Sequence, residues 1–149
     1  MANFFLDTSA LVKRYAQEVG TEWVLGLIDS GNEIHIVSIT GPEIVAAFNR
    51  KARLGDISIE AALQASEHFK EDYAGAYQIV ELSHDLMFSA MSLAETHNLR
   101  GYDAVQLAAA MRLKSTSELD DLVFVSADIN LNAAANSEGL VTDNPNDHP

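Results

Sequence analysis

The chain has 149 residues, no cysteine, and 22 acidic against 9 basic residues, which gives a formal net charge of −13 at pH 7. The length predicts one domain, and the lack of cysteine excludes disulfides, thiolate metal sites and cysteine nucleophiles. No stretch reaches the roughly 20 apolar residues of a membrane span, and no basic signal-peptide segment opens the chain, so we expect a cytoplasmic protein with no membrane contact. Because bulk charge of this sign repels nucleic acid, any such contact has to be local and assisted by cations.

Apolar strands alternate with amphipathic helices along the chain. We predict strands at 3–6, 33–39, 77–82, 122–125 and, shorter, 140–141. We predict helices at 8–17, 21–31, 40–55, 58–73, 83–98, 102–111 and 131–139. This alternation predicts an α/β fold, with a parallel sheet flanked by helices on both faces. Residues 1–142 are expected to form the domain, and 143–149, rich in Asp, Asn and Pro, to form a frayed tail.

Four acidic residues lie at the boundaries of these elements. Asp7 follows the first strand directly, and Asp128 follows the fourth strand two residues after Ser126. Glu43 and Asp103 lie in the first turns of helices. In a parallel sheet, the carboxyl ends of the strands and the starts of the following helices share one edge, where ligands bind. We therefore expect the four carboxylates to converge.

Each of these acids also has a purely structural interpretation. Asp7 and Asp128 are good helix N-caps. Glu43 has the spacing of a capping box with Thr40, and Asp103 favours the positive end of its helix dipole. Convergence favours function, because four caps have no reason to share one pocket.

Clustered carboxylates predict a bound cation. Two like charges 4 Å apart repel by about 4 kcal/mol at an effective dielectric of ~20, so such a cluster either binds a cation or holds protons. Oxygen ligands without sulfur favour Mg²⁺ or Mn²⁺. These ions activate water and clamp phosphate oxygens during phosphodiester cleavage. Their charge also reverses the local field that would repel a nucleic acid.

Four segments occur together in one order along the chain. They are residues 5–11, Glu43 at the start of its helix, residues 99–108, and Ser126-Ala-Asp128 with Leu131, Ala134, Ala135, Gly139 and Leu140. Together they make the chain resemble a PIN-domain ribonuclease, and within that family the VapC-type toxins of toxin–antitoxin pairs. The resemblance implies a five-stranded parallel sheet and an acidic metal pocket. The acids that match the family's positions, and that we predict to be catalytic and to hold Mg²⁺ or Mn²⁺, are Asp7, Glu43, Asp103 and Asp128.

The same resemblance implies further roles around the pocket. Thr8, Ser9 and Ser126 match the family's small polar positions near the metals. It also implies a homodimer and an antitoxin whose basic or apolar tail plugs the pocket.

Some residues near the expected pocket are interpreted from position alone. Asn130 and Asn132 are candidates to hydrogen-bond a metal-bound water, and Arg100, three residues before Asp103, is a candidate to contact an RNA phosphate at the rim. The basic group at 50–53 is interpreted as favourable placement at a helix C-terminus.

We therefore predict a metal-dependent endoribonuclease in which a metal-activated water attacks the phosphodiester and no covalent enzyme intermediate forms. Two alternatives remain open. The first is a catalytically silent PIN-like binding or scaffold domain whose acids hold no metal. The second is a phosphatase of the haloacid-dehalogenase type, which also places an Asp after its first strand. That class has a second Asp two residues later, where this chain has Ser9.

Overall fold

A computed structural model describes residues 2–149. Within this range the chain forms a five-stranded, all-parallel sheet in the order β3-β2-β1-β4-β5. The strands are β1 (Asn3–Leu6), β2 (Glu33–Val37), β3 (Gln78–Val80), β4 (Val123–Val125) and β5 (Val141–Asp143). The helices are α1 (Thr8–Tyr15), α2 (Thr21–Asp29), α3 (Thr40–Arg53), α4 (Ile59–Gly75), α5 (His84–His97), α6 (Gly101–Thr116), α7 (Ile129–Ser137) and a final 3₁₀ turn (Pro145–Asp147).

The strand order places a topological switch point beside β1. The first three strands are added outward from β1 on one side, and the chain then crosses to the other side to form β4 and β5. Leu6 pairs with Val125 at the carboxyl ends of β1 and β4. Ligands of open α/β sheets bind in the crevice at such a point. Asp7 and Ser126, the next residues of the two strands, therefore leave the sheet side by side.

Both faces of the sheet are covered by apolar packing, as expected for an all-parallel sheet. Side chains alternate between the faces along each strand. Phe5 and Phe124 stack at 5.7 Å between ring centroids on the face covered by α5, α6 and α7. Leu6 and Val125 point to the opposite face, which α1 to α4 cover. The predicted α/β/α class and parallel sheet are confirmed.

The observed elements differ from the predicted ones mainly at their ends. Strand β3 covers only residues 78–80, and α6 continues to Thr116. Helix α5 ends at His97 and is followed by Asn98, the C-cap, whose backbone is in the left-handed region with φ of 53°. Within residues 2–149, none of the helices combines the length and apolar character that crossing a bilayer would require.

The last seven residues differ most from expectation, because they pack against the domain. Strand β5 extends to Asp143, and Pro145 is buried. The ring of His148 stacks on Trp23 at 4.3 Å with an interplanar angle of 6°. Its Nε2 atom is hydrogen-bonded to an Asp143 carboxylate oxygen at 2.8 Å. A polar composition suggests fraying, but this aromatic stack and the buried proline depend on contacts with α2 that composition does not show.

Gly20 gives a test of this packing. Its φ is +89°, and an added Cβ would clash with the backbone of Pro145. Gly31 has a similar φ of +75° with no atom near the added Cβ. Left-handed backbone alone costs an alanine about 1–2 kcal/mol, and overpacking adds about 1–3 kcal/mol. We expect Gly20→Ala to lower the free energy of unfolding by at least about 1 kcal/mol more than Gly31→Ala, measured by urea denaturation. Equal losses in the two variants would contradict the packed tail.

Candidate active site

A cavity of about 650 Å³ opens at the carboxyl edge of the sheet, beside the switch point. All four acids singled out in the sequence line it. They come from the end of β1, the start of α3, the start of α6 and the loop after β4, and they are Asp7, Glu43, Asp103 and Asp128. The fold thus brings together carboxylates from four distant segments.

Asp7 is the most buried of these acids, with 3% of its surface exposed. Its carboxylate accepts three hydrogen bonds. The Ser9 hydroxyl and the Ala10 backbone N–H donate to Oδ1, at 2.7 and 3.0 Å, and the Ser126 hydroxyl donates to Oδ2 at 2.7 Å. The bond from Ala10 makes Asp7 the N-cap of α1 as well. The capping interpretation is therefore confirmed for Asp7, and its functional role stays a prediction.

The two serines also fasten the loop after β4 to Asp7. Ser9 Oγ accepts from the Ala127 N–H at 2.9 Å, and Ser126 Oγ accepts from the Asp128 N–H at 3.0 Å. Each hydroxyl therefore accepts from the loop while it donates to the carboxylate. This arrangement fixes the orientation of Asp7 relative to Asp128.

Burial raises the pKa of Asp7 from 3.8 to about 6, because a charged carboxylate loses its hydration in this position. The hydrogen bonds from Ser126, Ser9 and Ala10 oppose the rise, and the negative charge of Asp103 adds to it. The pKa of Glu43 is also raised by burial and by the charge of Asp103. Both carboxylates are thus destabilised in their charged forms, and a nearby cation would relieve this.

Glu43 is held by neighbouring helices. The Thr8 hydroxyl and the Gln106 side-chain amide donate to its Oε1 atom, at 3.0 and 2.9 Å. Gln106, which is 2% exposed, also donates to Thr40 Oγ1 at 3.0 Å. Helix α3 begins without a side-chain cap. The carboxylate is therefore oriented by α1 and α6, and the capping-box interpretation does not describe it.

Gln106 was not among the predicted site residues. The sequence does carry a signal for it, since Gln106 is the one polar residue in the run from Ala104 to Ala110. It lies three residues after Asp103, on the same face of α6.

Arg100 spans the other two acids. Its Nε atom lies 3.0 Å from an Asp103 oxygen, and a terminal guanidinium nitrogen lies 3.7 Å from Asp128. Its side chain lines the cavity and is 82% exposed, so it lies on the solvent side of the two acids. Asp128 also caps α7 by accepting from the backbone N–H groups of Asn130 and Leu131, at 2.9 and 3.1 Å.

The two asparagines lie behind and beside the cavity. Asn132 is buried, and its side-chain amide donates to the Ser126 carbonyl at 2.8 Å, which supports the loop after β4. Asn130 is exposed and contributes its backbone N–H to Asp128. In this structure neither side chain is among those that line the cavity.

The donor set fits a hard divalent cation in its chemistry, because every carboxylate is an oxygen ligand and two of them have raised pKa values. As the side chains stand, however, no group of three or more His, Cys, Asp or Glu residues within 2–149 is arranged to hold a metal ion. Arg100 supplies the positive charge instead. An ion held by three or more of these residues would therefore require the carboxylates to move closer together, and Asp103 and Asp128 to exchange Arg100 for the ion.

Comparison with known proteins identifies the family of the chain. The PIN domain family matches residues 4–136. The chain belongs to the PIN-domain family. Ribonucleases VapC45 and VapC49 of Mycobacterium tuberculosis are each 36% identical to this PIN domain over 107 residues, which cover 72% of this chain and 74% of theirs.

Solved structures show the same fold. The Mycobacterium tuberculosis toxin VapC20, described as cleaving the sarcin–ricin loop, superposes with a TM-score of 0.67 at 17% identity, over 93% of this chain and 96% of that one. The VapBC2 complex from Rickettsia felis, solved with a DNA fragment from its promoter, gives 0.61 at 18% identity, over 95% and 98%.

The raised pKa of Asp7 predicts a pH-dependent stability for the metal-free PIN domain. Since the folded protein holds this proton more tightly than the unfolded chain, the stability from Asp7 is present below pH 4 and is lost as the pH rises through about 6. At pH 7 the loss amounts to about 3 kcal/mol at most. We expect the stability of Asp7→Asn relative to the wild type to increase between pH 4 and 7, in urea denaturation with EDTA.

Asparagine also loses hydrogen bonds that Asp7 makes, but this loss of stability is the same at every pH. The quantity that tests the prediction is therefore the change with pH in the stability difference between Asp7→Asn and the wild type. Asp56→Asn, at an exposed carboxylate outside the cavity, controls for removal of one negative charge from a chain of net −13. A difference between Asp7→Asn and the wild type that stays constant from pH 4 to 7 would contradict the dominant role of burial.

Arg100 and a divalent ion are expected to compete for Asp103 and Asp128. We expect Arg100→Gln to bind Mn²⁺ roughly two- to fivefold more tightly than the wild type, the range for exposed ion pairs, in calorimetric titrations. Arg112→Gln is the matched control. Arg112 lies within α6, the helix that Arg100 precedes, but it does not line the cavity. Unchanged or weaker Mn²⁺ binding by Arg100→Gln alone would show that the arginine does not occupy the ion's place.

Proposed function

We propose that this PIN domain is a divalent-metal-dependent endoribonuclease of the VapC type, which hydrolyses RNA phosphodiester bonds. The observation that carries the proposal is the meeting of four carboxylates at one cavity beside the switch point. The curated relatives at 36% identity are named ribonucleases, which supports the same activity.

The proposed roles follow from the contacts of each acid. Asp7 is the fixed ligand, because Ser9, Ser126 and the start of α1 hold its orientation. Glu43 is the second fixed ligand, positioned by Thr8 and Gln106. When bound, a Mg²⁺ or Mn²⁺ ion would supply Lewis acidity to the phosphate and lower the pKa of a water molecule.

Asp103 and Asp128 are the adjustable members of the proposed site. Both are paired with Arg100, and both become available when that exposed side chain moves. An arginine released from carboxylates is suited to bidentate contact with a phosphate. We propose that Arg100 makes this exchange when RNA arrives at the rim.

A protein partner is the second part of the proposal. The four carboxylates at one end of the cavity and the net charge of −13 suit a basic or apolar tail of an antitoxin that plugs the site. The VapBC2 neighbour supports a partner of this kind through the complex that its description names. A homodimer stays a prediction, for which Phe88 and Met91 on α5, 65% and 57% exposed, are candidate contacts.

The decisive experiment incubates labelled single-stranded RNA with the protein and Mg²⁺ or Mn²⁺. We expect the wild type to cut the RNA at internal positions and EDTA to stop the reaction. Asp7→Asn should reduce the rate at least about 100-fold, since even residues that only orient a metal ligand contribute roughly 10–100-fold. Asp56→Asn, with the same chemical change outside the cavity, should cut at the wild-type rate.

Two other results would overturn the proposal. Hydrolysis of p-nitrophenyl phosphate without RNA cleavage would favour the phosphatase alternative. Neither activity and no Mn²⁺ binding, in a protein that circular dichroism shows to be folded, would favour the scaffold alternative.

A further inference from the structure

The cavity that holds the acids also has a basic wall. Only nine residues of the chain are Lys or Arg. Besides Arg100, three of them line this cavity, and they are Lys13, Arg50 and Lys51. In a chain of net charge −13, nearly half of the positive side chains therefore lie at one site. This set of three residues is called the basic wall below.

The basic wall is built around Glu18. Lys13 Nζ lies 3.1 Å from one Glu18 oxygen, and Lys51 contacts the other. The side chain of Lys13 is only 5% exposed, and that of Lys51 is 23% exposed. Burial raises the pKa of Glu18, but the two lysines outweigh it and lower the pKa overall. One carboxylate thus orders two cations, and a net positive charge remains even without Arg50.

The loop that carries Glu18 is itself fixed. The Glu18 backbone N–H donates to Thr21 Oγ1 at 2.9 Å, and the Thr21 hydroxyl donates to the Lys13 carbonyl at 2.9 Å. Thr21 is 5% exposed, so this connection is protected from water. The lysines are therefore held in place before any ligand binds. As a result, binding costs less side-chain conformational entropy.

The wall lies along the same helices that present the acids. Helix α1 carries Ser9 and Lys13 four residues apart, and α3 carries Glu43 and Lys51 eight residues apart. At 1.5 Å per residue these intervals are about 6 and about 12 Å along the helix axes. They correspond to roughly two to four nucleotides of a stacked strand at about 3.4 Å each.

We infer that the basic wall binds backbone phosphates of the RNA a few nucleotides away from the phosphate at the acids. This inference rests on the proposed ribonuclease function and adds how a strongly acidic chain retains an RNA strand. A phosphate contacts Lys51 and Arg50 at the cavity surface, while Glu18, itself paired with Lys13, holds Lys51 in position. Recognition at this wall is independent of base identity, because phosphates carry no sequence information.

The test measures binding separately from cleavage. Fluorescently labelled single-stranded RNA is titrated with the full chain in EDTA, over a series of salt concentrations. We expect Lys51→Gln to weaken binding roughly fivefold, the upper end for a partly exposed ion pair. The slope of log K against log salt should fall by about 0.7, the value for one phosphate contact on a single strand. Lys51→Arg should restore both quantities.

Arg53→Gln is the matched control, because it removes one positive charge from the same end of α3 at a residue that does not line the cavity. Its salt slope should equal that of the wild type. Equal effects of Lys51→Gln and Arg53→Gln, or no RNA binding by a folded wild type, would overturn the inference. So would a loss of poly-glutamate binding in Lys51→Gln without a loss of RNA binding, which would indicate an acidic protein ligand.

The two proposals fail in distinguishable ways. Lys51-dependent binding without any cleavage in Mg²⁺ or Mn²⁺ would support the wall and overturn the nuclease. Cleavage by the wild type with binding that does not depend on Lys51 would support the nuclease and overturn the wall.

Discussion

The structure depends on keeping the carboxylate of Asp7 out of water and in a fixed orientation. Three donors from two segments hold it, and two of them, Ser9 and Ser126, also receive the backbone of the loop after β4. These bonds join the carboxyl ends of β1 and β4 at the switch point. The three hydrogen bonds do not fully compensate the carboxylate for its lost hydration, because the pKa of Asp7 is still raised. At neutral pH the charged form of Asp7 therefore destabilises the folded protein unless a cation is near.

The remaining charges of the cavity are arranged around this group. Arg100 balances Asp103 and Asp128 from the solvent side, where its exposure keeps it exchangeable. On the other wall, Glu18 orders Lys13 and Lys51. Because opposite charges are separated across one cavity, its acidic end suits a cation and its basic wall suits a phosphate. The net charge of the whole chain describes neither surface.

The sequence predicts the fold well because local pattern and topology agree here. Phe5 and Leu6 form a buried strand and Asp7 ends it, and the rule that parallel strands end at one edge brings Asp7, Glu43, Asp103 and Asp128 together. Pattern does not determine which partner a long side chain chooses. Three contacts depend on packing between distant segments. They are the ion pairs of Arg100 with two acids, the pairing of Glu18 with Lys51 and the stacking of His148 on Trp23. Because the contact of Lys51 with Glu18 is long-range, the sequence indicates for Lys51 only a favourable charge at a helix C-terminus.

The proposed activity requires that these acids form one divalent-metal site. A crystal structure of the protein soaked in MnCl₂, with anomalous diffraction recorded to locate manganese, tests this. We expect an anomalous peak in the cavity, in contact with Asp7 and at least one of the other three acids, and Arg100 displaced from Asp103. A well-ordered cavity without an anomalous peak, with Arg100 still bound to both of its acids at saturating Mn²⁺, would contradict it.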